Sequence, residues 1–221
     1  MNAEQTMQIY SVGHSNQSAE EFLEEIQSFG INCIVDVRSV PYSKFTPQFN
    51  AEALGSVLKR NGIAYLPFGA EFGARRSDAY DYDNLLGANF PDNQVVFELA
   101  AKTPAFQRGV TRVNNGLSKG FHIALMCSEA DPLECHRFSL VSRYFYEHGY
   151  AVRHILSKGE SATHKQLQDK MVAEYVQKGK LPEVDLLFGE YTEEKQLRDA
   201  YRLKNKAIGY KSELSPELEL A

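Results

Sequence analysis

Ile31-Asn32-Cys33-Ile34-Val35-Asp36-Val37-Arg38-Ser39-Val40-Pro41 is the stretch on which the fold turns. Cys33–Val37 is a nearly continuous apolar run, the pattern of a strand buried on both faces rather than wet on one. Such a strand belongs in a parallel sheet covered by helices. Polar Asp36 and Arg38 mark its carboxyl end. Upstream, Gln8–Val12 reads as a strand entering the turn Gly13-His14-Ser15. Ser18 and Glu21 then form a capping box, and Phe22, Leu23, Ile26 and Phe29 an apolar stripe stopped by Gly30.

Downstream, Asn50 caps a helix carried by Leu54, Val57 and Leu58 and ended at Asn61-Gly62, and Ile63–Pro67 is a third strand. From Gly69 to about Asn93 no period is sustained, and a loop this long points to function or to partial disorder. Helical patterns begin at Val95–Leu99 and resume over Phe106–Leu117 after Pro104. A fourth strand over Phe121–Met126, a helix over Arg137–Glu147 and a fifth strand over Tyr150–Leu156 complete the alternation. The expectation is an α/β fold in three layers: a mainly parallel sheet with helices on both faces. Residues 1–159 form that domain. Residues 160–221, with charged helical segments over Ser161–Gln177 and Glu193–Lys206, form a helical C-terminal extension.

Ligands in such sheets sit beyond the carboxyl ends of the strands. His14, Asp36, Arg38, Glu71, Cys127 and Glu129 all fall there, so strands one, two and four are expected to be parallel neighbours with His14, Arg38 and Cys127 on one edge. The richest segment is Met126-Cys127-Ser128-Glu129-Ala130-Asp131-Pro132-Leu133-Glu134-Cys135-His136-Arg137. A strand end, a polar turn and a helix start are arranged there as an anion site, because free amides favour negative charge and lower a thiol's pKa.

Cys127, Cys135, His14 and Glu129 are the catalytic candidates, and Arg38, Ser43, Arg75, His136 and Arg137 the ligand-binding ones. Asp36 is a buried organiser, assigned to the side opposite Arg38. Each has a plainer reading: small core cysteines, a capping His136, His14 bonding a carbonyl, Arg137 clamping the loop of Glu129 and Asp131. The two readings of Arg137 differ in outcome, since Arg137→Lys weakens ligand affinity in the first and lowers melting temperature in the second. No metal is expected, because adjacent Cys135 and His136 should point apart and the spacing is not that of paired Cys-x-x-Cys sites. Leu133 stands six after Cys127, which excludes the Cys-x₅-Arg cradle of tyrosine phosphatases.

Composition narrows the classes. A net charge of −5 over 221 residues argues against broad wrapping of nucleic acid, which needs a basic face. The N-terminal segment lacks a signal-peptide pattern, and three cysteines without one favour reduced thiols in the cytoplasm. No stretch reaches the roughly 20 apolar residues of a membrane helix. Cys33 reads as a core residue.

Gly13-His14-Ser15, Asp36-Val-Arg38-x-x-Pro41-x-Ser43, Tyr65, Gly73-x-Arg75 and Cys127-x-Glu129-x-x-Pro132-x-x-Cys135-His136-Arg137 together resemble the domain of unknown function 488 family, from about Ile9 to Leu156. The resemblance implies an α/β fold and supplies positions but no reaction. It departs at Glu71-Phe72-Gly73-Ala74, where the family pattern has Leu-Gly-Gly before Arg.

The leading expectation is an enzyme acting on a small phosphorylated, nucleotide-like or nucleic-acid ligand at the carboxyl edge of the sheet. Its reaction and cofactor are unspecified. Two others stand beside it: a non-catalytic nucleotide or nucleic-acid binding module, and a metal- or thiol-based sensor using Cys127 and Cys135. Self-association through the C-terminal arm is left open.

Overall fold

The computed structural model describes residues 7–185 and 189–213. The parts of the expected extension at 186–188 and 214–221, and residues 1–6, lie outside them. Six strands form one sheet: β1 (Gln8–Gly13), β2 (Cys33–Asp36), β3 (Ala64–Pro67), β4 (Ile123–Cys127), β5 (Ala151–Ile155) and β6 (Ser161–Thr163), in the order β3-β2-β4-β1-β5-β6. All pairings are parallel except β5 with β6. Strands one, two and four are therefore parallel neighbours, as expected. Every residue of β2 and β4 is buried, as apolar runs covered on both faces should be.

On one face, α1 (Ala19–Ser28) and α2 (Ala51–Arg60) pack Phe22, Ile26, Leu54 and Leu58 against Ile34, Ala124 and Met126. Ser18 and Glu21 form the capping box that starts α1. The other face is covered by α3 (Gly69–Phe72), α4 (Phe97–Ala100), α5 (Pro104–Ser118) and α6 (Arg143–Glu147), with Phe72, Phe97, Phe106 and Phe145 on Val35 and Leu125. The chain leaving β1 thus turns to one face and the chain leaving adjacent β4 to the other. That is a topological switch point, where open sheets of this kind leave a crevice.

The arm consists of α7 (His164–Gln177) and α8 (Glu193–Ile208), which share a third apolar cluster with Leu133 and Phe138. A chain of hydrogen bonds also ties it to the sheet: Ser11 Oγ to His154 Nδ1 (2.7 Å), His154 Nε2 to His164 Nδ1 (3.1 Å), and His164 Nε2 to the Tyr201 hydroxyl (2.8 Å). No helix among the described residues is long and apolar enough to cross a membrane.

One expectation is corrected, and the expected helix over Arg137–Glu147 is present with a different winding in its first part. Ser161–Thr163, read as helix, adds an antiparallel strand, because the turn at Gly159 brings it back along β5. That strand lies past residue 159, so the sheet itself crosses the expected boundary. Arg137–Ser142 is wound as a π-helix before α6, with all six side chains buried between the sheet and the arm.

Candidate functional site

A cleft of 290 Å³ opens at the carboxyl edge of β2 and β4. Six of the residues singled out in the sequence line it: Arg38, Arg75, Cys127, Glu129, Cys135 and His136. His14, Asp36, Ser43 and Arg137 do not.

β2 stops at Asp36, and Arg38 folds back onto it. Arg38 Nε and Nη2 donate to the Asp36 carboxylate at 2.9 and 2.5 Å, Nη2 also donates to the Phe49 carbonyl, and the Tyr65 hydroxyl donates to Asp36 at 2.7 Å. The two side chains were expected to face apart. Residues two apart share a face of a pleated strand, and the buried pair satisfies itself. Asp36 thus sits as an organiser beneath Arg38.

His14 is stacked on Phe49 at 4.1 Å between ring centres, with its back to the cleft. Nδ1 lies 2.8 Å from the Ser15 carbonyl, which can only accept, so that nitrogen carries the proton and Nε2 accepts from Arg38 Nη1 at 3.1 Å. Burial draws its pKa down to about 4, with the charge of Arg38 adding to the effect. The ring is neutral, both nitrogens are occupied, and it aims Arg38; it does not present a proton donor or acceptor to the cleft. Of the five Arg38 N–H groups, one on Nη1 is left over to face the cleft.

Arg75 is placed by two close backbone approaches. Its amide donates to Ser39 Oγ at 2.9 Å, and a Cβ on Gly73 would strike that hydroxyl and the Gly69 carbonyl. Its guanidinium lies over the Tyr210 ring at 5.5 Å and, among the described residues, makes no hydrogen bond or ion pair. Neighbouring Arg76 is engaged by Asp78 and Thr103. Ser43 is engaged too, its hydroxyl accepting from the amides of Phe45 and Thr46 to hold a turn away from the cleft.

Cys127 ends β4, and the turn Ser128–Asp131 leads to Cys135 and His136. Arg137 is wholly buried beneath that turn. Its Nη1 and Nη2 donate to the carbonyls of Glu129 (2.6 Å) and Ala130 (3.0 Å). Room for this exists because residue 13 is glycine: a Cβ there would overlap the Glu129 carbonyl oxygen. The anion-binding reading of Arg137 is therefore corrected. The guanidinium lies beside Gly13 beneath the turn and clamps it.

Above the clamp, the side chains of Cys127, Cys135 and His136 converge, with Nδ1 of His136 3.8 Å from Cys127 Sγ and 3.9 Å from Cys135 Sγ. Adjacent Cys135 and His136 do not point apart, because Cys135 is extended and the chain turns helical at His136. The other ring nitrogen, Nε2, donates to the Val37 carbonyl at 3.1 Å. Burial opposes ionisation of Cys135, yet the Cys127 hydrogen bond, the Arg137 charge and His136 together draw its pKa well below the usual thiol value. The Arg137 amide also donates to its sulfur at 3.4 Å. Cys127 is pushed well up by its bond to Cys135 and by burial. Of the two, Cys135 is the thiol on which negative charge is favoured. Burial and that charge also lift Glu129 above the ordinary carboxylate range.

The sequence reading missed Ser39, Glu134, Ile208 and Tyr210, which line the cleft together with Val40, Ala74 and Ser128. Ser39 stood one residue from Arg38, but Ile208 and Tyr210 carried no local signal.

Fold and site define an α/β protein with a polar cleft over a parallel sheet, floored by a Cys–Cys–His cluster. The chain belongs to the family described as Domain of unknown function DUF488, which matches residues 18–144. No curated protein and no solved structure matches it.

Proposed function

We propose that the cleft is the active site of an enzyme acting on a small phosphorylated or nucleotide-like ligand. The observation that carries this reading is Arg75, a guanidinium that makes no hydrogen bond or ion pair among the described residues and lies over Tyr210 in the lining of a cleft shared with Cys127, Cys135, His136 and Glu129. Its planar fork suits a phosphate or carboxylate, and the remaining N–H of Arg38 is a second donor. Tyr210, Ile208 and Val40 offer apolar surface for the rest of the ligand. Cys135, as a thiolate, and Glu129, with its raised pKa, face the space that ligand would occupy. A small concave site on a chain of net charge −5 favours a small molecule or a nucleic-acid end over a long polymer.

Arg75→Ala is expected to weaken binding without unfolding the chain, since the side chain is exposed. Loss of one charge-assisted contact corresponds to about 1.5–3 kcal/mol, roughly ten- to a hundredfold in Kd. Calorimetric titration of wild type and variant with nucleoside monophosphates and inorganic phosphate checks it. Equal affinities in the two proteins, or no binding by wild type, would remove the anion site.

A further inference from the structure

We infer that Cys127, Cys135 and His136 form a three-ligand site for a thiophilic divalent cation of the zinc class, with its fourth position open to the cleft. The donor atoms of the three residues all lie within 4.8 Å of one another. A tetrahedral zinc has Zn–S near 2.3 Å and Zn–N near 2.0–2.1 Å, which by trigonometry requires S···N of about 3.6 Å and S···S of about 3.8 Å. The two S···Nδ1 separations here, 3.8 and 3.9 Å, exceed that requirement by only 0.2–0.3 Å. The two sulfurs lie within 4.8 Å of each other, so side-chain shifts of at most about 1 Å would close the site.

Three further features suit a metal centre. Ligating imidazoles characteristically donate their other ring N–H to a carbonyl or carboxylate, which fixes tautomer and aim; Nε2 of His136 does this to Val37, leaving Nδ1 as the nitrogen that faces the sulfurs and would give up its proton to a metal. The Arg137 amide donates to the Cys135 sulfur, an outer contact that steadies a bound thiolate. The turn joining the cysteines is fixed from below by Arg137, so the donors are held without help from the ion.

Two sulfurs and one imidazole select zinc or cobalt over magnesium or calcium, which require oxygen ligands. Closed structural sites use four protein ligands, whereas three with an open corner is the pattern of sites that present a metal to water or ligand. The three residues line the cleft alongside Glu129, and a ligand oxygen or the Glu129 carboxylate would take the fourth corner. Bound there, the metal would act as a Lewis acid on that oxygen.

The test uses the reduced full chain and Co²⁺ alone. One equivalent is expected to bind, with intense thiolate-to-cobalt charge-transfer absorption and the visible bands of four-coordinate cobalt, both lost on adding Zn²⁺. Cys127→Ser and Cys135→Ser should each lower the charge-transfer intensity and weaken affinity by more than roughly a hundredfold, beyond the range for an outer partner. Arg75→Ala should bind cobalt as wild type does, so failure of the anion reading leaves this one standing. Weak cobalt absorption without the charge-transfer band, in protein whose thiols titrate as free, would overturn the inference. So would full retention of that band in both serine variants.

Discussion

Arg137→Ala is expected to destabilise the protein by about 3–5 kcal/mol. Arg137 heads the wholly buried side chains by volume, and truncating it empties that space beneath the turn. It also takes the Arg137 donors away from the Glu129 and Ala130 carbonyls, at about 1 kcal/mol for each part-buried hydrogen bond lost. For a chain of this size the loss corresponds to a fall in Tm of about 10 °C. Arg137→Lys keeps a charge but cannot reach both carbonyls with one planar fork, so an intermediate fall is expected. Thermal unfolding of both variants checks the point. A Tm unchanged in Arg137→Ala would show that the clamp contributes nothing, and would return Arg137 to the ligand-binding residues.

Acidification should be as severe. His14, His154 and His164 are held neutral chiefly by burial, with pKa drawn to about 4 for His14, to about 3 for His164 and well below the usual value for His154. In the unfolded chain each ring takes up a proton near pH 6.5. Below that pH the unfolded state binds more protons, so stability present at pH 7 is lost as pH falls, until the folded rings themselves titrate. Each histidine contributes about 1.4 kcal/mol per pH unit, and the three together about 4 kcal/mol by pH 5.5. His136, whose pKa is raised, works the other way above about pH 6.5, adding stability as pH falls, and its contribution is level below that. Urea unfolding between pH 7.5 and 5 measures the slope. A stability that stays level across that range would mean the three rings are already charged or solvated in the fold.

Much of the architecture was legible because burial writes itself into composition. The all-apolar run of β2 could only be covered on both faces, and polar residues at successive strand ends marked one edge as the site. What escaped depended on direction or distance. Periodicity placed Arg137 at a helix start but could not say whether it looked up at a ligand or down into a crevice; the missing Cβ of Gly13 decides that, across more than 120 positions of chain. The same limit applies to Cys135 and His136, whose convergence follows from one change of backbone conformation between them. Ser161-Ala162-Thr163 is too short and too polar to announce a strand, and exists as one because β5 offers an open edge. Tyr210 reaches the cleft because α8 ends beside Gln94 and Val95, where the Val95 amide donates to the Tyr210 carbonyl.

That last contact bears on how the molecule is made. A ribosome that has just released residue 160 has already delivered every donor of the Cys127–Cys135–His136 cluster and all five parallel strands of the sheet. The wall formed by Ile208 and Tyr210 is still some fifty residues from synthesis. During that interval the nascent chain would carry the three donors without the surface that shapes the cleft. The order of translation therefore places chemical competence ahead of selectivity, and the arm is the part that closes the gap.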